Sequence, residues 1–310
     1  MTAMSATSEP IVRPRRRFRV SMRQHEALAA LGFLLPGLVM FLAFTLGPAL
    51  FSFAVGFTRW DGLSSPVWTG IDNYIRLAQD PLFLKSIVNT AWFTLLFVVM
   101  CMASSILVAM LLNSRARGIG FARFLWLLPF VTDMISVSMV WTWLYHFRFG
   151  VVNYLLGLVG IPPQAWLGSP ELAMFALVVL SVWRWTGYYA LILLSGLQSV
   201  PPDLYEAAKI DGATRWDRFI NVTLPMLSPT IFFVAMMAMM SSFQVFEQMW
   251  VMTKGGPNDA TISVAMFLYI QGFQFLNMGY ASAVAWVLFF IIFVLTIINW
   301  NARRRWVFEG

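Results

Sequence analysis

Charge is what this 310-residue sequence has least of. Asp, Glu, Lys and Arg make up 11% of it, against roughly 25% in an ordinary soluble domain. So few charges cannot cover the surface of a soluble protein this long. That excludes a cytosolic enzyme and, in spite of a net charge of +7, a nucleic-acid-binding domain; with 59% apolar residues the chain is not disordered either. Histidine is nearly missing. His25 and His146 stand alone, so no His/Cys/Glu metal cluster is legible, and His146 reads as an interfacial residue. The single cysteine, Cys101, has no internal disulfide partner and lies deep in an apolar run, where it packs. No Gly-x4-Gly-Lys-Ser/Thr phosphate cradle occurs. The Gly255-Gly256 pair runs into Pro257 and reads as a turn.

What is present is a set of long apolar runs. A membrane helix needs about 20 such residues to cross some 30 Å of hydrocarbon. Six stretches qualify, within 27–58 and 86–114 and at about 124–145, 172–197, 226–250 and 281–300. The first is too long for the apolar part of a cleaved signal peptide and reads as an uncleaved anchor, kinked but not ended by Pro36 and Pro48. Segment 260–280 is uncharged but broken by Gly272 and Gly279, and reads as a short interfacial or re-entrant helix. The expected fold is therefore all-α, a six-span integral membrane protein. Residues 1–26 form a basic cytoplasmic arm, 27–300 the membrane domain and 301–310 a cytoplasmic tail.

Basic residues orient the spans. With the N-terminus inside, fifteen Lys and Arg fall in the arm, the 113–123 and 198–225 loops and the tail. Five fall outside: Arg59, Arg76, Lys85, Arg148 and Lys254. This bias predicts both termini in the cytoplasm. The arm itself serves either as an orientation signal against anionic lipid or as a regulatory arm for a partner.

The 198–225 loop reads as helix–turn–helix. Pro201 and Pro202 suit a helix start with Asp203 in the first turn, and Gly212 ends that helix in a left-handed cap. A second short helix is expected over 214–221, with Asp211–Arg215 and Thr214–Asp217 as local contacts, before Pro225 enters the fifth span. Glu206-Ala207-Ala208, then Gly212, then Val222-x-Leu224-Pro225, resembles the EAA loop of ATP-binding-cassette importer permeases, with Val222 where isoleucine is usual. Leu128-Pro129, Phe149-Gly150 with Asn153, Val182-Trp183-Arg184, Phe243 to Glu247, Thr253 to Pro257 and Phe275 to Ala283 are similar to the carbohydrate branch of that family, the maltose- or glycerol-3-phosphate-type permeases.

The resemblance implies a type I ABC importer permease fold and a chain that is not itself an enzyme. It implies residence in a bacterial or archaeal plasma (inner) membrane. The expected partners are a second homologous permease, an ATPase dimer that carries the ATP and Mg, an extracytoplasmic solute-binding protein and membrane lipid, with no cofactor and no nucleic acid on this chain. It further implies that Glu206, Ala207, Ala208 and Gly212, with Leu224 and Pro225 closing the motif, form the element that docks on the ATPase. Small alanines permit close approach and the carboxylate can make a charge-assisted bond.

Ionisable groups inside the membrane cost about 2.5–3.5 kcal/mol each and mark function by default. Asp133 lies about 14 Å into the third span from inside and Arg184 about 18 Å into the fourth from outside, so both fall near the midplane. Glu247 lies near the outer mouth of the fifth. Asp133 and Arg184 are expected either to pair and hold two helices together or to line the solute path with Tyr188, Gln244, Glu247 and Trp250. If they cancel, the solute is best read as a neutral sugar or polyol. A sugar phosphate, by the same mechanism, would want a spare cation. An ion-coupled secondary transporter would use Asp133 as its ion site, and a membrane scaffold would need no midplane charge.

The topology is directly testable. With Asn258→Cys an impermeant thiol reagent should label the chain in intact cells, and with Asp217→Cys it should not. The opposite labelling overturns the map.

Overall fold

The computed structural model describes residues 22–306 apart from Arg115. Most of the expected basic arm, 1–26, and the end of the tail, 301–310, lie outside the described residues. The chain divides into two units, one ending at Ser52 and one beginning at Phe53.

The first unit is helical. α1 (Met22–Phe41) carries Pro36, and a π turn (Leu42–Leu46) leads into α2 (Gly47–Val55). The π turn has a covalent cause. Pro48 has no N–H and its ring crowds the carbonyl four residues back, so the ladder shifts and Gly47 N–H bonds to Leu42 O instead. The prolines do not end this helix, and Ala29–Val55 is long and apolar enough to cross a membrane.

The second unit begins with a two-residue antiparallel ribbon, β1 (Thr58–Arg59) with β2 (Val67–Trp68), in which Thr58 faces Trp68. Then come α3 (Asp72–Gln79), α4 (Pro81–Leu112), α5 (Ile119–Val131), α6 (Met134–Leu144), α7 (Val151–Leu158) and α8 (Pro170–Gln198). α9 (Pro202–Ile210), α10 (Arg215–Arg218), a π turn (Phe219–Thr223) and α11 (Leu224–Phe243) follow. The chain ends in α12 (Glu247–Met252), α13 (Val264–Tyr269), a third π turn (Ile270–Gln274) and α14 (Met278–Trp306).

Among the described residues five helices are long and apolar enough to span a membrane, and six if the α5–α6 pair counts as one span. Two expectations need correction here. The third span is not one helix over 124–145: it breaks at Thr132–Asp133, and α5 and α6 meet at 95°. Thr132 is extended, Asp133 becomes the N-cap of α6, and Pro129 has already weakened the end of α5. The fifth span does not run unbroken over 226–250 either. It stops at Phe243, crosses a non-helical Gln244–Phe246 and resumes as α12. At its inner end it starts earlier than expected, because α10 runs through the π turn into α11 as one candidate span, Arg215–Phe243.

α8 is the central post of this unit. Its buried face (Leu177, Leu180, Tyr189, Ala190, Leu193) packs on α4, α5 and α11. In hydrocarbon, burying apolar surface between helices gains little, so close packing and polar clasps must hold them. α4 supplies both: its buried stripe Phe97, Cys101, Ser105, Ala109 repeats at helical spacing, and Ser104 Oγ meets Thr186 Oγ1 at 2.8 Å. Cys101 is fully buried in this seam, as its apolar setting implied. Against α5 the approach is backbone to backbone. A Cβ on Gly187 would sit 1.6 Å from Trp126 O.

That contact gives a sharp contrast. Gly187→Ala should cost at least about 1–3 kcal/mol by overpacking and lower the thermal unfolding midpoint of the purified chain. Gly157→Ala, with nothing within 4 Å of the new methyl, should be neutral or stabilising. Equal midpoints would refute the close α5–α8 packing.

Candidate solute cavity and coupling loop

The two helix breaks meet. α6 packs on α12, and the space beside them is a cavity of about 350 Å³. Non-helical backbone at membrane depth survives only where protein covers it or a polar cavity solvates it. Here both remedies are visible. At the first break Arg184 Nη2 donates to Thr132 O at 3.1 Å, and Ser136 N–H donates to Asp133 Oδ2 at 2.9 Å. At the second, Ser263 Oγ donates to Val245 O at 2.6 Å while accepting from Met266 N–H.

Three of the expected solute-path residues line this cavity together: Arg184, Gln244 and Glu247. Gln244 and Glu247 are exposed to it, and neither side chain is hydrogen-bonded to another described residue. Arg184 Nε is buried without a partner among the described residues. The guanidinium carbon lies 5.6 Å from the ring centres of both Phe130 and Trp185, where the ring quadrupoles favour a cation.

The expected Asp133–Arg184 pair does not form. Among the described residues no ion pair within 4.0 Å joins them, and Asp133 is exposed and committed to Ser136 through both N–H and Oγ. The reason is the helix break: the Asp133 carboxylate is spent on Ser136 as a cap, and Arg184 bonds the neighbouring Thr132 carbonyl instead. Asp133 does not line the cavity, whereas its neighbour Met134 does. Tyr188 stacks on Phe130 at 4.2 Å, and Trp250 packs among Phe246 and Tyr269, so neither lines the cavity.

Sequence reasoning missed the rest of the wall. Gln248 is buried and bonds Ser181 Oγ at 3.2 Å, Ser242 Oγ bonds Thr94 Oγ1 at 3.0 Å, and Ser241 meets Tyr189 OH. Phe93, Phe97 and Phe246 add flat apolar faces. The cavity thus offers one cation, one carboxylate, two amides, hydroxyls and ring faces. That is a set able to grip a polyhydroxylated solute and wrong for acid–base cleavage, which needs paired groups at a reacting bond.

The 198–225 loop lies apart. α9 starts at Pro202, and Gly212 at φ +79° reverses the chain, with Ala213 N–H on Ala208 O. Thr214 and Asp217 form a reciprocal capping box at α10. No ion pair joins Asp211 to Arg215 among the described residues. The second helix is not a separate element over 214–221, since α10 continues into α11. Glu206, Ala207 and Gly212 are exposed, Ala208 is half-buried, and Leu224 and Pro225 open α11. Tyr205 OH bonds Thr223 Oγ1 at 3.2 Å, tying α9 to the base of α11.

Broken helices around a polar cavity, joined to a helical loop with exposed small residues, fit a membrane transport subunit. Residues 106–307 match the family described as "Binding-protein-dependent transport system inner membrane component", and the chain belongs to that family. It is 35% identical over 285 residues to the "Probable ABC transporter permease protein YesP" of Bacillus subtilis (strain 168), covering 90% of this chain and 92% of that protein. It is 33% identical to the "Trehalose/maltose transport system permease protein MalF" of Thermococcus litoralis, covering 89% and 94%. The fold is similar, at TM-score 0.81 and 22% identity over 94% of this chain and 99% of the other, to a chain of a solved "bacterial alginate ABC transporter in complex with alginate pentasaccharide-bound periplasmic protein". This chain is an inner-membrane transport subunit, not a catalyst.

Asp133 acts here as a cap, and this has a measurable consequence. Asp133→Asn, an equally good N-cap, should leave the unfolding midpoint unchanged, while Asp133→Ala should cost about 1 kcal/mol. If Asn is as harmful as Ala, charge rather than capping is what the site uses.

Proposed function

We propose that this chain is the permease subunit through which a neutral sugar or related polyol enters the cell, driven by ATP bound on a separate ATPase. The observation that carries the reading is that Arg184 and Glu247 line the same cavity. With one charge of each sign the cavity has no net charge, so it suits hydroxyl groups, which can accept from the guanidinium and donate to the carboxylate. The trehalose/maltose name of a relative points to the same chemical class, neutral sugars. Glu247 is the carboxylate that shares the cavity with Arg184, while Asp133 stands outside its lining.

The partners are a second homologous permease, a dimeric ATPase holding ATP and Mg, and an extracytoplasmic binding protein that delivers the solute, with both termini of this chain cytoplasmic. Glu206, Ala207 and Ala208 dock on the ATPase and Gly212 sets the angle of the loop. Closure of the ATPase dimer moves α9. Tyr205 passes that motion to Thr223, and the continuous helix from Arg215 to Phe243 carries it about 42 Å to the break beside the cavity. Solute exposure then alternates because Gln244 caps the moving end of that helix and Glu247 starts α12 just beyond the break.

Two measurements in proteoliposomes holding the whole transporter test this. Glu206→Lys should abolish uptake while the chain stays inserted, and Tyr205→Phe should lower uptake per ATP hydrolysed. Normal transport by both variants overturns the coupling assignment. Glu247→Gln leaves Arg184 uncompensated, so uptake of a neutral disaccharide should fall about tenfold or more while competition by its phosphorylated analogue strengthens. If the native protein already prefers the phosphorylated analogue, the neutral-solute reading is wrong.

A further inference from the structure

A second cavity lies far from the solute path and takes no part in it. It is a groove of about 670 Å³, within the roughly 300–1,000 Å³ of ligand-sized pockets. Its walls are Ala103, Ile106, Leu107 and Met110 of α4, Arg215 and Trp216 of α10, Phe219 of the π turn and Leu224 of α11. Leu107 and Trp216 are 61% and 66% exposed. Apart from Arg215 the lining is apolar. Arg215 is exposed, and its side chain makes no hydrogen bond or ion pair with another described residue.

Position decides what such a groove holds. α4 ends at Leu112, so Ala103 lies about 14 Å from that end along the axis. With the 198–225 loop inside, the groove opens at the level of the inner-leaflet headgroups and runs toward the acyl chains. An apolar slot in hydrocarbon needs no protein to cover it, and a lipid tail fills it at little cost. Trp216 is an aromatic of the kind that settles at the headgroup boundary, and a free guanidinium there matches a phosphate oxygen pair in charge and geometry.

We infer that this groove is a binding site for one anionic phospholipid of the inner leaflet, with an acyl chain along Ala103–Met110 and Trp216, and the phosphate on Arg215. The inference rests on the inward placement of the loop, but not on transport of any solute. Because α10 carries the capping box and leads into α11, the lipid braces the junction between the coupling loop and the helix that reaches the solute cavity.

The test uses the full-length chain in phosphatidylcholine nanodiscs, titrated either with dibrominated phosphatidylglycerol or with dibrominated phosphatidylcholine. Trp216 is isolated as the fluorescence difference between the native chain and Trp216→Phe. Its emission should be quenched at a mole fraction of the bromo-phosphatidylglycerol about fivefold lower than of the bromo-phosphatidylcholine, the preference expected of one basic residue near an anionic headgroup. Arg215→Gln should erase the difference, and Ala103→Phe, which fills the floor, should protect Trp216 from both. Equal quenching by both lipids in the native chain means an unselective annulus and overturns the proposal. So does a Trp216 that neither lipid reaches, which would mean that protein fills the groove. Reversed cysteine labelling at Asn258 and Asp217 also overturns it, because the groove would then face the other leaflet.

Discussion

Every peptide group inside hydrocarbon must find a partner, and this molecule is organised around the two places where its helices decline to supply one. Breaking a helix at membrane depth costs several kcal/mol per stranded group. The chain meets that cost with side chains dedicated to the purpose: Arg184 for the Thr132 carbonyl, Asp133 for the first amides of α6, and the Ser263 hydroxyl for the Val245 carbonyl. The candidate cavity is the space these repairs leave open. Its polarity follows from the breaks, since backbone that is not helical must face something polar.

The same logic explains why Arg184 serves two masters. It is structural through Nη2, which holds the end of α5, and it contributes its remaining charge to the cavity it shares with Glu247. A guanidinium suits this double use because its five donors point in fixed directions. A lysine would have to choose one. Serines in the seam behave likewise. Ser242 bonds its own helix at Met239 O and reaches Thr94 on α4, so the cavity wall is also the weld between two spans.

Much of this was legible beforehand, and the reasons differ by element. Spans appear in the sequence because apolar length is set by bilayer thickness, and the coupling loop appears because capping chemistry is local: Pro202, Gly212 and Thr214–Asp217 each act within a few residues. Helix breaks are harder. Hydropathy averages over them, so 124–145 and 226–250 read as uniform runs. A local signal did exist at the first, where Thr132-Asp133 followed by Ser136 is an N-cap pattern set just after Pro129. Reading Asp133 as a buried charge rather than a cap produced the false pair. At the second break no such signal exists, because the Val245 carbonyl is satisfied by Ser263, a residue 18 positions on. Gln248, Ser181 and Ser242 were invisible for the same reason, since their roles depend on which helices lie side by side.

The π turn at Phe219–Thr223 has a consequence for phase. An α-helix advances about 100° per residue, and one wider turn inserts roughly one residue without breaking the rod. The groups at α10 and those at Gln244 therefore stand about a quarter of a revolution out of the register that an unbroken α-helix would impose. Thr223, whose hydroxyl reaches Arg218 O and accepts from Tyr205, sits at the one point where that offset is stored. A rod with a single stored offset can convert a push at its base into a twist at its tip, by letting the wide turn migrate along the helix or close up, with the loss of no more than one hydrogen bond at a time.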